Sequence, residues 1–472
     1  MKNTVSKGIL FYLLIFVGVI LGIGCILMCI LMFSPGAKIF GISYFRNNDV
    51  LEITKFQVSQ VAQEENLHNY IVEGWIQTIE IKTNYPTIDI ANTTATKYSF
   101  KLESDVSGFS NAEKPKTENL MKYHTNYNEA TKTFTIEDYG PQAVLYLSKT
   151  SAITFNIPFE QSFENRNLNV VTESGNVTIA NHEENHIKFA NLNANIGNGY
   201  LFVNNLADVS SNGTMYVEAK DGTIKTTGTI NAKNFNIRSE GSKITLANVN
   251  SEMSIQTKDS TIQLNNLTKN LYYSADAGIL QAKTISGDFE CSELVNIANI
   301  FVDKVEGNTL IPKASASNIE IKHAVKDVKI VTTTGSVKIG ETNADVEIET
   351  ESGQIVCLVN STSTSVVKFT TVSGDIDARF KNIDGASFIT TQKGDIYFQY
   401  ENNEIFKLEY TCDKNKPTVS PGISTGTIDN AGSFAIGYDP STTTANKITV
   451  INAEGRTEYE NKLESDYSVF GW

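Results

Sequence analysis

The sequence predicts an all-β fold, a parallel β-solenoid (β-helix) with coils of about 20 residues preceded by one N-terminal transmembrane helix. Three observations carry this. A polar turn centred on glycine returns along the chain, as Glu173-Ser174-Gly175, Gly197-Asn198-Gly199, Lys220-Asp221-Gly222, Ile285-Ser286-Gly287, and then at Gly335, Gly353, Gly374 and Gly394, the last four spaced by 18, 21 and 20 residues. Short strands of alternating polarity flank those turns. No apolar stripe of helical period and length lies between them, so the repeating unit is strand and turn.

The flanking strands define an inside and an outside. Val328 and Ile330 precede Gly335, and Val337 and Ile339 follow it; Val346, Ile348 and Ile355, Cys357 flank Gly353; Val367, Phe369 and Ile376, Ala378 flank Gly374. Alternation with polar neighbours predicts one buried and one wet face per strand. Glycine at the corner is expected to supply a positive φ, with Ser, Thr or Asp beside it bonding the turn backbone. A single coil has no core of its own, so stacking must close it. The glycine is lost at Lys258-Asp259-Ser260 and displaced at Gly241, while the apolar parity continues.

In chain order, residues 1–7 read as a cytosolic tail and residues 8–33 as the transmembrane helix, because Gly8 to Phe33 is 26 residues without a charge and a span needs about 20. The run is too long for the apolar core of a cleaved signal peptide, and it continues past Gly22-Ile23-Gly24-Cys25, which otherwise suggests a lipoprotein site, so a signal anchor is expected. Lys2 and Lys7 on one side and Lys38 and Arg46 on the other leave charge bias undecided. With the bulk of the chain after the span, a cytosolic N-terminus and an extracellular solenoid are expected. Residues 34–75 read as a stalk and linker, 76–150 as an N-terminal cap and first coil, 151–400 as the solenoid, and 401–472 as a C-terminal cap holding a strand at Lys447 to Ile451. Some twelve coils make a rod of about 55–60 Å at a strand spacing of ~4.8 Å.

Composition narrows the partners. Setting aside Lys2 and Lys7, 37 basic residues stand against 53 acidic ones, a formal net charge of −16 beyond the span. Such a surface repels phosphate backbones and excludes nucleic acid as a partner; the membrane, through residues 8–33, and a surface glycan or envelope protein remain. The five cysteines form no disulfide framework: Cys25 and Cys29 lie in the apolar segment, Cys291 and Cys357 fall on the inward parity of their strands as small core residues, and Cys412 has no assigned surroundings.

Candidate chemistry is sparse. His182-Glu183-Glu184-Asn185-His186 satisfies HExxH, which holds zinc only on a helix, and here it sits between two strands, where a solvated loop is expected. Asp375, Asp377 and Asp395 fall on equivalent positions of neighbouring coils and could stack as a carboxylate column, with calcium binding or glycan acid–base work as the functional readings and an ordinary polar turn as the plain one. Tyr272, Tyr273, Tyr397, Phe398 and Tyr400 could stack on sugar if exposed, or fill the core. No phosphate-cradling loop, nucleophile elbow or CxxC pair is present, and no catalytic, cofactor-binding or metal-binding residue is assigned.

The stretch Ile153-Thr154-Phe155-Asn156-Ile157-Pro158, followed by Leu168 through Glu173-Ser174-Gly175-Asn176-Val177-Thr178-Ile179, resembles the adhesin-like DUF4097 family of bacterial membrane-anchored proteins, and Thr371-Val372-Ser373-Gly374-Asp375-Ile376 carries the same phrase. The resemblance covers roughly residues 150–400, except that Ser239 to Lys283 depart from it. It implies a parallel β-helix, an envelope location behind an N-terminal anchor, and no catalytic residues. Three functional readings follow: a non-enzymatic adhesin-like or envelope-interaction module, a regulatory ectodomain of a cell-envelope stress system, and a glycan-active β-helix enzyme.

Overall fold

The computed structural model describes residues 18, 19, 21, 38–39, 42–43, 54–64, 67–83, 87–93, 96–110, 123–138, 145–158, 166–180, 187–204, 207–209, 212–360, 365–401, 406–420, 429–436 and 446–460. The predicted span 8–33 lies almost wholly outside them. Among the described residues no helix is long and apolar enough to cross a membrane.

The architecture is an all-β parallel solenoid of about 11 turns with coils of ~20 residues. Each regular coil gives one strand to each of two faces. On the first face Asn167–Thr172, Asn191–Ile196 and Thr214–Ala219 pair in parallel, and the ladder continues through Val328–Thr332, Val346–Thr350, Val367–Thr371 and Ala386–Thr391. On the second, Asn176–Ala180 pairs with Tyr200–Asn204, and the ladder reaches Val337–Thr342, Ile355–Asn360, Ile376–Asn382 and Ile396–Tyr400. Every inward residue named from the sequence, from Val328 to Ala378, is buried.

The need for stacking is quantitative. The coil 328–342 buries Val328, Ile330, Val337 and Ile339, each worth roughly 1.5–3 kcal/mol. Ordering a coil's backbone costs about 1–2 kcal/mol per residue, so a lone coil loses and only neighbouring coils, which supply the hydrogen bonds and cover the core, offset it.

In the stretch where the sequence phrase breaks, strand geometry continues through the corner. Lys243–Leu267 is one strand of 25 residues and Leu271–Ile285 one of 15, paired almost throughout. At both ends spatial order departs from chain order. Coil 78–93 is sandwiched between Thr133–Asp138 with Leu145–Pro158 on its outer side and Asn167–Thr172 with Asn176–Ala180 on its inner side. Likewise Lys447–Asn452 lies between Ala386–Thr391 and Phe406–Cys412, and Thr457–Glu460 between Ile396–Tyr400 and Thr418–Val419.

Antiparallel strands finish the ends: Ser99–Ser110 joins Leu145–Pro158 to Thr54–Glu64, Tyr123–Asn128 pairs with Thr133–Asp138, and Ala431–Ile436 with Phe406–Cys412. The stretch 34–75, read as a stalk, thus contributes the strand Thr54–Glu64 to the sheet. It also holds the short helix Leu67–Val72, whose Leu67 and Ile71 are buried and whose Ile71 carbonyl accepts from Arg166 Nη2.

Candidate functional site

The repeated turn is built from the backbone outward. Gly175, Gly199, Gly222, Ser242, Ser260, Gly278, Ala298, Ser317, Gly335, Gly353, Gly374, Gly394 and Gly455 stack as one column of small residues along the corner between the faces. The expected reason for the glycines requires correction: among the described glycines only Gly74, Gly241, Gly278 and Gly385 have a positive φ, so most of the column is not glycine for its left-handed freedom. Clearance is the cause. A Cβ on Gly353 would overlap the carbonyl oxygen of Gly335, and one on Gly374 that of Gly353, far inside the 3.0 Å that such atoms keep. Where the sequence loses its glycine, Ser260 and Ser242 fill the same column, the Ser242 N–H donating to Ser260 Oγ at 3.1 Å.

Beside the column, a buried Thr three residues earlier accepts the glycine N–H, Thr350 from Gly353 at 2.8 Å, Thr371 from Gly374 at 2.9 Å and Thr391 from Gly394 at 3.1 Å. The Asp after the glycine accepts from the next coil. Asp375 Oδ1 takes the Asp395 N–H at 2.8 Å, and Asp395 takes the Arg456 N–H at 2.8 Å and its guanidinium at 3.0 Å.

Asp375 and Asp395 are therefore brought together as neighbours, as the spacing suggested. Asp377 instead lies on the second face, held by both prongs of the buried Arg379 at 2.9 and 2.7 Å. Among the described residues no group of three or more His, Cys, Asp or Glu is placed to hold a metal ion. The His182 to His186 loop lies outside those residues.

Other sequence candidates sort by strand parity. Tyr273, Phe398 and Tyr400 are buried, while Tyr272 and Tyr397 are exposed. Cys291, Cys357 and Cys412 are all buried free thiols; burial pushes the Cys291 thiol up to about 12 and raises Cys357 and Cys412 as well. On the first face, Glu347 is gripped by Lys329 at 2.6 Å and Lys368 at 2.8 Å, and these two donors lower its carboxyl to about 2.

Two concavities open on the flanks of the coils where the phrase breaks. One, of about 410 Å³ on the first face, is charged and balanced, with Glu218 and Arg238 on its floor and Lys258 bonded to Glu240 at 2.6 Å on its wall. The other, of about 510 Å³ on the second face, is lined by Thr245, Gln263, Gln281, Asn265 and Phe301. The sequence reading missed the second groove, although its outward residues Thr245, Gln263, Gln281 and Phe301 recur at intervals of 18, 18 and 20 residues, the coil period itself.

The Toastrack DUF4097 family profile matches residues 76–279 and 278–416, well over half of the chain. The chain belongs to the Toastrack DUF4097 family. Among solved structures, this Toastrack chain is similar to a "putative cell adhesion protein" of Clostridium sporogenes at 8% identity, over 86% of this chain and 100% of that one, with a TM-score of 0.16. No curated protein matches the Toastrack sequence. The matched segments span the small-residue column from Gly175 to Gly394 and both grooves.

Proposed function

We propose that this Toastrack chain is a non-enzymatic, membrane-anchored extracellular module that displays the flanks of its solenoid for adhesion or envelope contacts, with residues 8–33 as the anchor. One observation carries the non-enzymatic part: the aspartates singled out from the repeat, and Glu347 with them, are committed to the scaffold. Asp375 and Asp395 spend oxygens on backbone N–H groups of the next coil, Asp377 is tied to Arg379, and Glu347 to two lysines. A general acid or base needs a proton-exchanging oxygen facing substrate, and these oxygens face the protein. The exposed side chains between them, including Tyr272, Phe388 and Tyr397, are contact surface.

The anchor and topology rest on the uncharged 26-residue stretch and the large domain that follows it. Labelling of intact cells with a membrane-impermeant amine reagent tests both. Lys313, 69% exposed, is expected to be modified without lysis; labelling of Lys313 only after rupture of the cells would place the solenoid in the cytosol and sink the proposal.

A further inference from the structure

The groove on the second face has a composition that selects a ligand. Its floor is one outward column: Lys225 is in register with Thr245, Gln263 with Gln281, and Gln281 with Phe301. The Thr261 N–H donating to the Ser242 carbonyl sets Thr245 beside Gln263. Gln263 Nε2 donates to Gln281 Oε1 at 3.3 Å, which aligns the two amides and leaves Gln263 an acceptor and Gln281 two donors facing out.

Both ends of the column are defined. Phe301, half-buried, stands at one, where Glu320 is the next residue in register, and Lys225 lies 5.9 Å from the Phe202 ring at the other. In the adjoining column Asn265 adds a third amide, and Asp303 is neutralised by Lys322 at 2.8 Å.

Each part of this lining excludes something. The one lining carboxylate, Asp303, is paired with Lys322 and gives a cation little to bind; the exposed Lys283 adds a positive charge to the lining, against which the acidic chain as a whole disfavours polyanions. Three amides and a threonine hydroxyl both donate and accept, the complement of vicinal hydroxyl groups, and an aromatic face beside them suits the C–H face of a pyranose. Rungs repeat every ~4.8 Å, close to the advance per residue of an extended pyranose chain, so successive sugars would meet successive rungs.

We infer that this groove binds a neutral oligosaccharide lying along the solenoid axis, with Gln263 and Gln281 bonding its hydroxyls and Phe301 supporting one ring. The inference deepens the surface-contact reading by naming its ligand class, and it rests on that reading only for where the sugar is met.

The test is calorimetric titration of the full chain, in a detergent without a sugar headgroup, with cellohexaose, fully N-acetylated chitohexaose, maltohexaose and, as a polyanion, polygalacturonate. At least one neutral hexasaccharide is expected to bind, and Gln281→Ala and Phe301→Ala, both outward-facing, are each expected to weaken it at least about tenfold. Glu347→Ala on the opposite face should leave affinity unchanged. Binding by none of the three neutral sugars, binding by polygalacturonate alone, or full affinity in both groove variants overturns the inference. A cytosolic solenoid in the labelling experiment would leave this titration unaffected, so the two readings fail separately.

Discussion

Replacing Gly374 by alanine tests the claim that clearance, and not φ, selects the corner glycines. The new Cβ would overlap the Gly353 carbonyl oxygen and carbon, both backbone atoms that cannot rotate aside. Relief requires coil 367–382 to move off coil 346–360, stretching the pairing of Ile355–Asn360 with Ile376–Asn382. Forced overpacking costs about 1–3 kcal/mol, here at the upper end, and the gain from a stiffer unfolded chain returns only about 0.4–1 kcal/mol. A net loss of about 2 kcal/mol is expected.

Gly222→Ala supplies the calibration, because its Cβ would stand 2.7 Å from the Gly199 oxygen, where a shift of a few tenths of an ångström suffices; it should cost less than about 1 kcal/mol. Thr371→Val, which takes the acceptor from the Gly374 N–H without changing shape, should cost about 1–3 kcal/mol for the unmet buried donor. Urea midpoints give the three values, and hydrogen exchange should place the damage in residues 346–382, since coils contact only their neighbours. Gly374→Ala within 0.5 kcal/mol of the parent, on the ~0.5 kcal/mol scale of surface changes, or Gly222→Ala costing as much, would refute the clearance argument.

Two further outcomes follow from the charged groups. Asp377→Ala removes the bidentate carboxylate partner of the buried Arg379 and should cost about 3 kcal/mol, whereas Asp375→Ala removes one acceptor for an exposed N–H and should cost about 0.5–1.5 kcal/mol; equal urea midpoints, or calcium-dependent stability lost in either variant, would contradict the scaffold role. Glu347, lowered to about 2 by Lys329 and Lys368, contributes stability above its ordinary value of 4.5 that is lost as pH falls from there toward 2. Being partly exposed, the effect should stay below about 1 kcal/mol, and Glu347→Gln should flatten that part of the stability–pH curve; an unchanged curve would show the pairs to be inert.

The inside of the molecule was legible because period-2 alternation is imposed by burial: Val328, Ile330, Ile348 and Phe369 could be assigned inward with no partner known. The reason for the glycines was not, since a positive φ and a close carbonyl both demand a missing Cβ and leave the same letter in the sequence. Of the other small residues in the column, Ser260 and Ser242 fall where the sequence showed the glycine lost at Ser260 and displaced at Gly241, whereas Ala298 and Ser317 were invisible to a reading that sought glycine alone. Asp375 and Asp395 were correctly brought together by the period, yet their commitment to backbone N–H groups depends on turn geometry that spacing does not encode. The out-of-order ends were hidden for another reason: the strand Lys447–Asn452 advertises its faces but carries no address for its neighbours.

Those ends constrain how such a molecule can change length. A repeat array that simply stops can add or drop a rung at either tip without disturbing the others. Here coil 447–460 is wedged between 386–400 and 406–419, and coil 78–93 between 133–158 and 167–180, so a deletion at a tip opens a gap one rung deep inside the sheet. Insertions and deletions of whole coils are compatible with closure only between about 167 and 400. The rod is thus free to lengthen or shorten through its middle while both of its ends are held constant.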